Sequence, residues 1–168
     1  SGLDAYLSPE MKSTGEAIGY DDRRPYALYK AMQAAGMNLQ DHGTVLLSVC
    51  REDMEEALPL VERFYRLGFN IEATTGTAQF LREHGIRTRV KRDYTEDPAD
   101  VTAALRSGKV AYLINTRDPS SAAHVNAGYD MRRLAIENNV TTFTSLDTVQ
   151  AVLEVLEAIS SRISTIDA

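Results

Sequence analysis

From Thr44 onward short apolar runs alternate with helix-like stretches, and this alternation restricts the fold more than any other feature of the chain. "TVLLSV" (44–49) and "VAYLIN" (110–115) are apolar almost throughout. A strand with no polar face needs cover on both sides. "DMEEALPLVERFYRLG" reads as a helix stopped at Gly68, "FNIEAT" as the next strand, and "GTAQFLREHG" as a helix closing at Gly85. "IRTRV" is a third strand. "PADVTAALRSG" is a helix opened by Pro98 and closed at Gly108. After the fourth strand come the helix "AGYDMRRLAIENN", a short strand "TTF" and the closing helix "LDTVQAVLEVLEAIS". Apolar strands separated by helices imply a parallel sheet with helices on both faces. Ligands of such sheets gather at the carboxyl ends of the strands.

Residues 1–42 lack this alternation. "RPYALYKAMQAAG" reads there as one amphipathic helix, with Tyr26, Tyr29, Met32 and Ala35 at three-residue spacing and Gly36 as the stop. Alone, this segment is too small for a core, so it must pack on the rest or on a partner. Ser1-Gly2 at the start is consistent with a cut from something longer. The net charge of -6 and pI near 5.1 argue against nucleic-acid and anionic-membrane partners. No apolar run approaches the roughly 20 residues of a membrane span, and no signal peptide is read. Cys50 is the one cysteine, which excludes an internal disulfide and suits a cytoplasmic protein.

At "TTGT" (74–77) a strand turns directly into a helix. The first turn of a helix carries free N–H groups and a partial positive charge. Gly76 lets the backbone approach a ligand, and Thr74, Thr75 and Thr77 add hydroxyls, so the turn can hold a phosphate-sized anion. The simpler reading is that Thr75 or Thr77 only caps the helix. Asn115 and Thr116 end the fourth strand, while Ser48 and Arg51 end the first, so polar groups converge from three strand ends. In "IRTRVKR", Arg87, Arg89 and Lys91 share one face of a strand and read as a solvated edge. Arg92 lies past that strand and is the better anion contact.

Other chemistry is thinly represented. His42, His84 and His124 are far apart and have no cysteine pair, so the spacing of a metal site is absent. His84 suits a helix end, where carbonyls face an imidazolium. Cys50 reads as a small residue at the end of a buried strand.

"PEMKSTGEAIG" (9–19) resembles the motif that closes the second synthetase unit of carbamoyl-phosphate synthase large chains. "GTVLLSV", "LGFNIEATTGTAQFLREHGI", "SGKVAYLINT" and "GYDMRRLAIENNV" resemble, in order, that enzyme's C-terminal regulatory domain. The later motifs are shared with the wider methylglyoxal-synthase-like superfamily. The resemblance implies an α/β, doubly wound, five-stranded, mostly parallel sheet of the Rossmann-like kind. It also implies a division into residues 1–42, the tail of a synthetase unit with a linker helix, and residues 43–168, the regulatory domain. The implied role is allosteric: an anionic effector such as uridine or inosine monophosphate, or N-acetylglutamate in relatives serving urea synthesis, tunes distant synthetase sites. The family's pocket falls on Ser48, Thr74, Thr77 and Asn115. The domain itself would hold no cofactor; ATP, magnesium and bicarbonate would belong to the synthetase domains. Those domains, a glutaminase small subunit and further copies of the chain are the implied partners.

This sequence departs from the family at several points. Met54 stands where nucleotide-binding members carry a phosphate-contacting lysine, and a charge-assisted contact is worth about 1.5–3 kcal/mol. Arg51 and Arg117 can compensate through bidentate geometry. Phe143, followed by Thr144 and Ser145, replaces an acidic residue that relatives use near ornithine. Two other function classes compete with regulation. One is methylglyoxal synthase, favoured by His124 six residues after Asp118. It is opposed by Pro98 beside Asp97 in place of Gly-Gly-Asp, by Cys50 for a histidine, and by Ala127 for an aspartate. The other is an interaction module whose pocket no longer binds.

Overall fold

A computed structural model of the chain describes residues 24–37 and 39–167, with side chains as far as Ser161. The "PEMKSTGEAIG" stretch lies outside the described residues. The elements are helix α1 (Arg24–Ala34), strand β1 (Thr44–Ser48), a 3₁₀ turn (Arg51–Asp53) and α2 (Met54–Arg66). Then come β2 (Asn70–Thr74), α3 (Thr75–Glu83), β3 (Arg89–Lys91) and α4 (Pro98–Arg106). The chain closes with β4 (Val110–Asn115), α5 (Ala122–Glu137), β5 (Thr141–Phe143) and α6 (Leu146–Asp167).

The five strands form one sheet in the order β3-β2-β1-β4-β5, and every pair is parallel. This is the α/β architecture implied by the alternating pattern. β4 is buried along its whole length, which is why "VAYLIN" carries no polar face. One layer of the core joins the sheet to α1, α2, α3 and α6 through Met32, Phe64, Leu81, Val152 and others. The opposite layer joins it to α4 and α5 through Val101, Leu105, Met131 and Leu134. Four rings run through the first layer. Phe64 meets Phe69 edge-on at 5.3 Å, and Tyr112 lies 5.9 Å from Phe64 and 5.6 Å from Phe143. The Tyr112 hydroxyl donates to the Gln40 carbonyl at 2.6 Å, and burial pushes its ionisation well above the usual phenol range. Phe143 is therefore a core ring.

Several boundaries differ from the sequence expectation. α1 buries Met32 and packs Leu28 and Tyr29 on the core, whereas Tyr26 is 41% exposed and Ala35 lies beyond the helix. The apolar stripe thus runs through 28, 29 and 32, and the segment packs on the rest of the chain, chiefly on α6. β3 begins only at Arg89, and the preceding carbonyl, that of Thr88, accepts from Arg82 Nε at 2.8 Å. Arg87 is therefore outside the strand, and Lys91 pairs with Glu72 at 3.6 Å. α5 starts at Ala122, five residues before the expected Ala127, because Ser121 caps it by accepting from the His124 N–H at 3.2 Å. Gly43 has a φ of 118°, and a Cβ there would come within 3.2 Å of the Lys109 carbonyl. It marks the point where β1 and β4 slip register.

Candidate functional site

The carboxyl ends of β1, β2 and β4 open into a cavity of about 400 Å³. β1 has neighbours on both sides that continue in different directions, so this edge holds the switch point of the sheet. Pockets of a few hundred Å³ suit small metabolites. Eight of the ten site residues expected from sequence line it: Ser48 and Arg51 after β1; Thr74, Gly76 and Thr77 at the β2–α3 junction; Asn115, Thr116 and Arg117 after β4. Thr75 and Arg92 do not. The Thr75 hydroxyl donates to the Lys91 carbonyl at 3.4 Å. Arg92 is drawn toward the start of α4, its guanidinium 3.4 Å from Asp97 and its N–H bonded to Asp100.

No threonine side chain caps α3. Thr74 occupies the N-cap of α3 but makes no capping bond; its hydroxyl donates to Ser48 Oγ at 3.2 Å. Thr77 accepts from the Val49 N–H at 3.1 Å and donates to the Val49 carbonyl at 3.3 Å. Thr116 accepts from the Cys50 N–H at 2.8 Å. These hydroxyls clamp the turn after β1, and they leave the α3 amides of Gly76 and Thr77 as the donors a ligand would meet. Thr77→Val should therefore strand the Val49 N–H and cost about 1–3 kcal/mol of stability, measured by urea denaturation.

The cavity holds three arginines. Arg51 and Arg117 were legible from sequence, while Arg132 on α5 was not. Its guanidinium donates to Asn115 Oδ1 at 2.6 Å, and the Asn115 amide nitrogen donates to the Ser48 carbonyl at 3.0 Å. Among the described residues, none of the three has a carboxylate partner. Burial and the nearby Arg117 push the Arg132 ionisation downward from the usual guanidinium range. Met54 also lines the cavity and presents a thioether to it. The positive charge comes from the β1 turn, the β4 loop and α5.

Of the groups that could do chemistry, His124 and Asp118 line the cavity and Asp97 does not. His124 lines the cavity from the first turn of α5, not from a loop, with Nδ1 2.6 Å from Ser121 Oγ. Asp97 caps α4 by accepting from the Ala99 N–H at 3.0 Å and is not part of the cavity. Asp118 does line it, but hydrogen bonds from Ser120 hold its carboxyl below the usual range, which weakens it as a base. Burial, followed by the Asp53 carboxylate that accepts the thiol proton at 2.9 Å, pushes the Cys50 thiol upward. A raised thiol is a poor nucleophile at neutral pH. Among the described residues no cluster of histidine, cysteine and acidic side chains could hold a metal, and no helix is long and apolar enough to cross a membrane.

Comparison with known proteins agrees with the fold. The family model described as MGS-like domain matches residues 56–144. Among solved structures, the chain is similar to a methylglyoxal synthase from Elizabethkingia anophelis NUHP1, with a TM-score of 0.54 at 15% identity. That match covers 68% of this chain and 79% of the other. At this identity the likeness speaks for the fold.

Proposed function

This chain belongs to the MGS-like domain family, and from that premise we propose that it is an allosteric regulatory domain of the carbamoyl-phosphate synthase large-chain kind. Its cavity receives an anionic metabolite, a nucleoside monophosphate such as uridine or inosine monophosphate being the leading class. One observation carries the reading. Three arginines with no carboxylate partner among the described residues line the cavity beside an α3 amino terminus that has neither a side-chain cap nor an acid in its first turn. Helix amino termini and guanidinium forks are both suited to phosphate.

In this reading the domain binds without turnover. Its partners are the synthetase domains of a longer chain and a glutaminase subunit. Arg117 and Arg132 line both the cavity and an open groove of about 910 Å³ bounded by α5, β5 and the end of α1. An anion that draws these cations inward changes the groove, and a protein packed there senses the change. Only a ligand that prefers one arrangement can shift activity.

A second reading, methylglyoxal synthase, is favoured by His124 in the cavity. Proton abstraction beside a carbonyl needs a carboxylate base within reach, and Asp97 is committed to capping α4. Calorimetric titration with uridine monophosphate, inosine monophosphate and N-acetylglutamate tests the proposal. Saturable heat with at least one of them, and no methylglyoxal from dihydroxyacetone phosphate above background, is the expected result. Saturable methylglyoxal formation overturns it.

A further inference from the structure

We infer that Arg132 is the principal cation for the ligand's anionic group, held ready on Asn115, and that Gly128 is there to seat it. The inference rests on the anion-receptor reading above and adds residues to it.

The contrast with other arginines is informative. Arg63 makes a two-point contact with Glu157, the closer at 2.6 Å. Arg66 pairs with Glu62 and Arg92 with Asp97. Arg133, the next residue after Arg132, takes both Asp130 and Glu137 on the outer face of α5. Arg132 receives only a neutral amide oxygen, although it is half-buried and close to Arg117. Two guanidinium groups at the wall of one cavity repel each other, and an anion between them reverses the sign of that interaction.

Gly128 gives the arrangement its geometry. It lies four residues before Arg132, hence on the same face of α5. A Cβ there would stand 2.8 Å from Arg132 Nη1 and 3.3 Å from Asn115 Oδ1. Its φ is not in the left-handed region, so backbone conformation does not call for glycine. Glycine is also the poorest helix former after proline. What it provides is space for the guanidinium. Asn115, 4% exposed, is bonded at both ends of its amide. It therefore acts as the rest for Arg132, and its free donor capacity toward a ligand is small.

The test is the affinity for inorganic phosphate, by calorimetry at low ionic strength, in wild type, R132Q, G128A and the double variant. R132Q is expected to bind at least tenfold more weakly. G128A is expected to bind several-fold more weakly although it removes no ligand contact, and to melt at or above the wild-type temperature. If Gly128 acts through Arg132, the double variant binds no more weakly than R132Q alone. Unchanged phosphate affinity in R132Q, or effects that multiply in the double variant, overturns the inference and leaves the receptor reading standing. A wild-type protein that binds no phosphate overturns both.

Discussion

Gly76→Asp is expected to abolish phosphate binding while leaving the fold as stable as wild type or slightly more so. A Cβ at Gly76 meets nothing within 4 Å, so the new side chain has room. Gly76 lines the cavity and lies in the first turn of α3, which carries no acid. A carboxylate there interacts favourably with the helix amino terminus, worth about 0.3–1 kcal/mol. The same charge would lie within a few ångströms of a bound anion. At an effective dielectric of about 20 this repulsion amounts to a few kcal/mol, so a loss of at least about a hundredfold in affinity is expected. Gly76→Asn has nearly the same shape without the charge and should retain measurable binding. Calorimetry reads the affinity and a thermal melt reads the stability. Wild-type affinity in Gly76→Asp would place the anion elsewhere.

Phe64→Ala should be the most damaging single truncation for stability, at about 3–5 kcal/mol. Phe64 is fully buried and is the ring through which α2 reaches Phe69 and Tyr112. Its removal takes an edge-to-face partner from Phe69 and opens a hole under the centre of the sheet. Neighbours fixed in strands cannot collapse far to fill such a hole. Urea denaturation measures the effect, and a loss under about 1 kcal/mol would mean that the layer repacks freely. A loss of this size is a large fraction of the stability typical of small domains.

The sheet and most of the cavity were legible in the sequence for a simple physical reason. A strand buried on both faces, such as Val110–Asn115, has nearly no polar residues to confuse its reading. The polar residues that do appear at its end then stand out. Ser48, Thr74, Thr77, Asn115 and Thr116 all lie where the strand ends converge. Their individual roles were less legible. Thr77 reads as a cap or a ligand donor, but its hydroxyl is taken up by Val49 across the sheet, a contact between residues far apart in sequence. Arg92 follows β3 and reads as a cavity residue, but Asp97 and Asp100 of the next turn hold it away.

Arg132 illustrates the harder case. In "YDMRRLAIE" two adjacent arginines look like a solvated helix face, and one of them, Arg133, is indeed paired at the surface. Only the position of Gly128 four residues earlier separates the two, and that spacing acquires meaning once Asn115 is known to lie opposite. The early start of α5 was missed because "SSAAHVNAG" mixes small and polar residues with no apolar stripe. The cap at Ser121 was the available signal. Met54, at the start of α2, likewise offers the cavity no charge. In three dimensions α5 contributes a cation to the same cavity.

We propose the strand-end cavity as a receptor in which the α3 amides and the Arg132 guanidinium meet one anion. A crystal grown in inorganic phosphate tests it most directly. Tetrahedral density is expected within hydrogen-bond distance of the Gly76 and Thr77 amides, with Arg132 turned from Asn115 toward it. A cavity that stays empty of phosphate at saturating concentration, or one in which phosphate binds while Arg132 remains on Asn115, would contradict it.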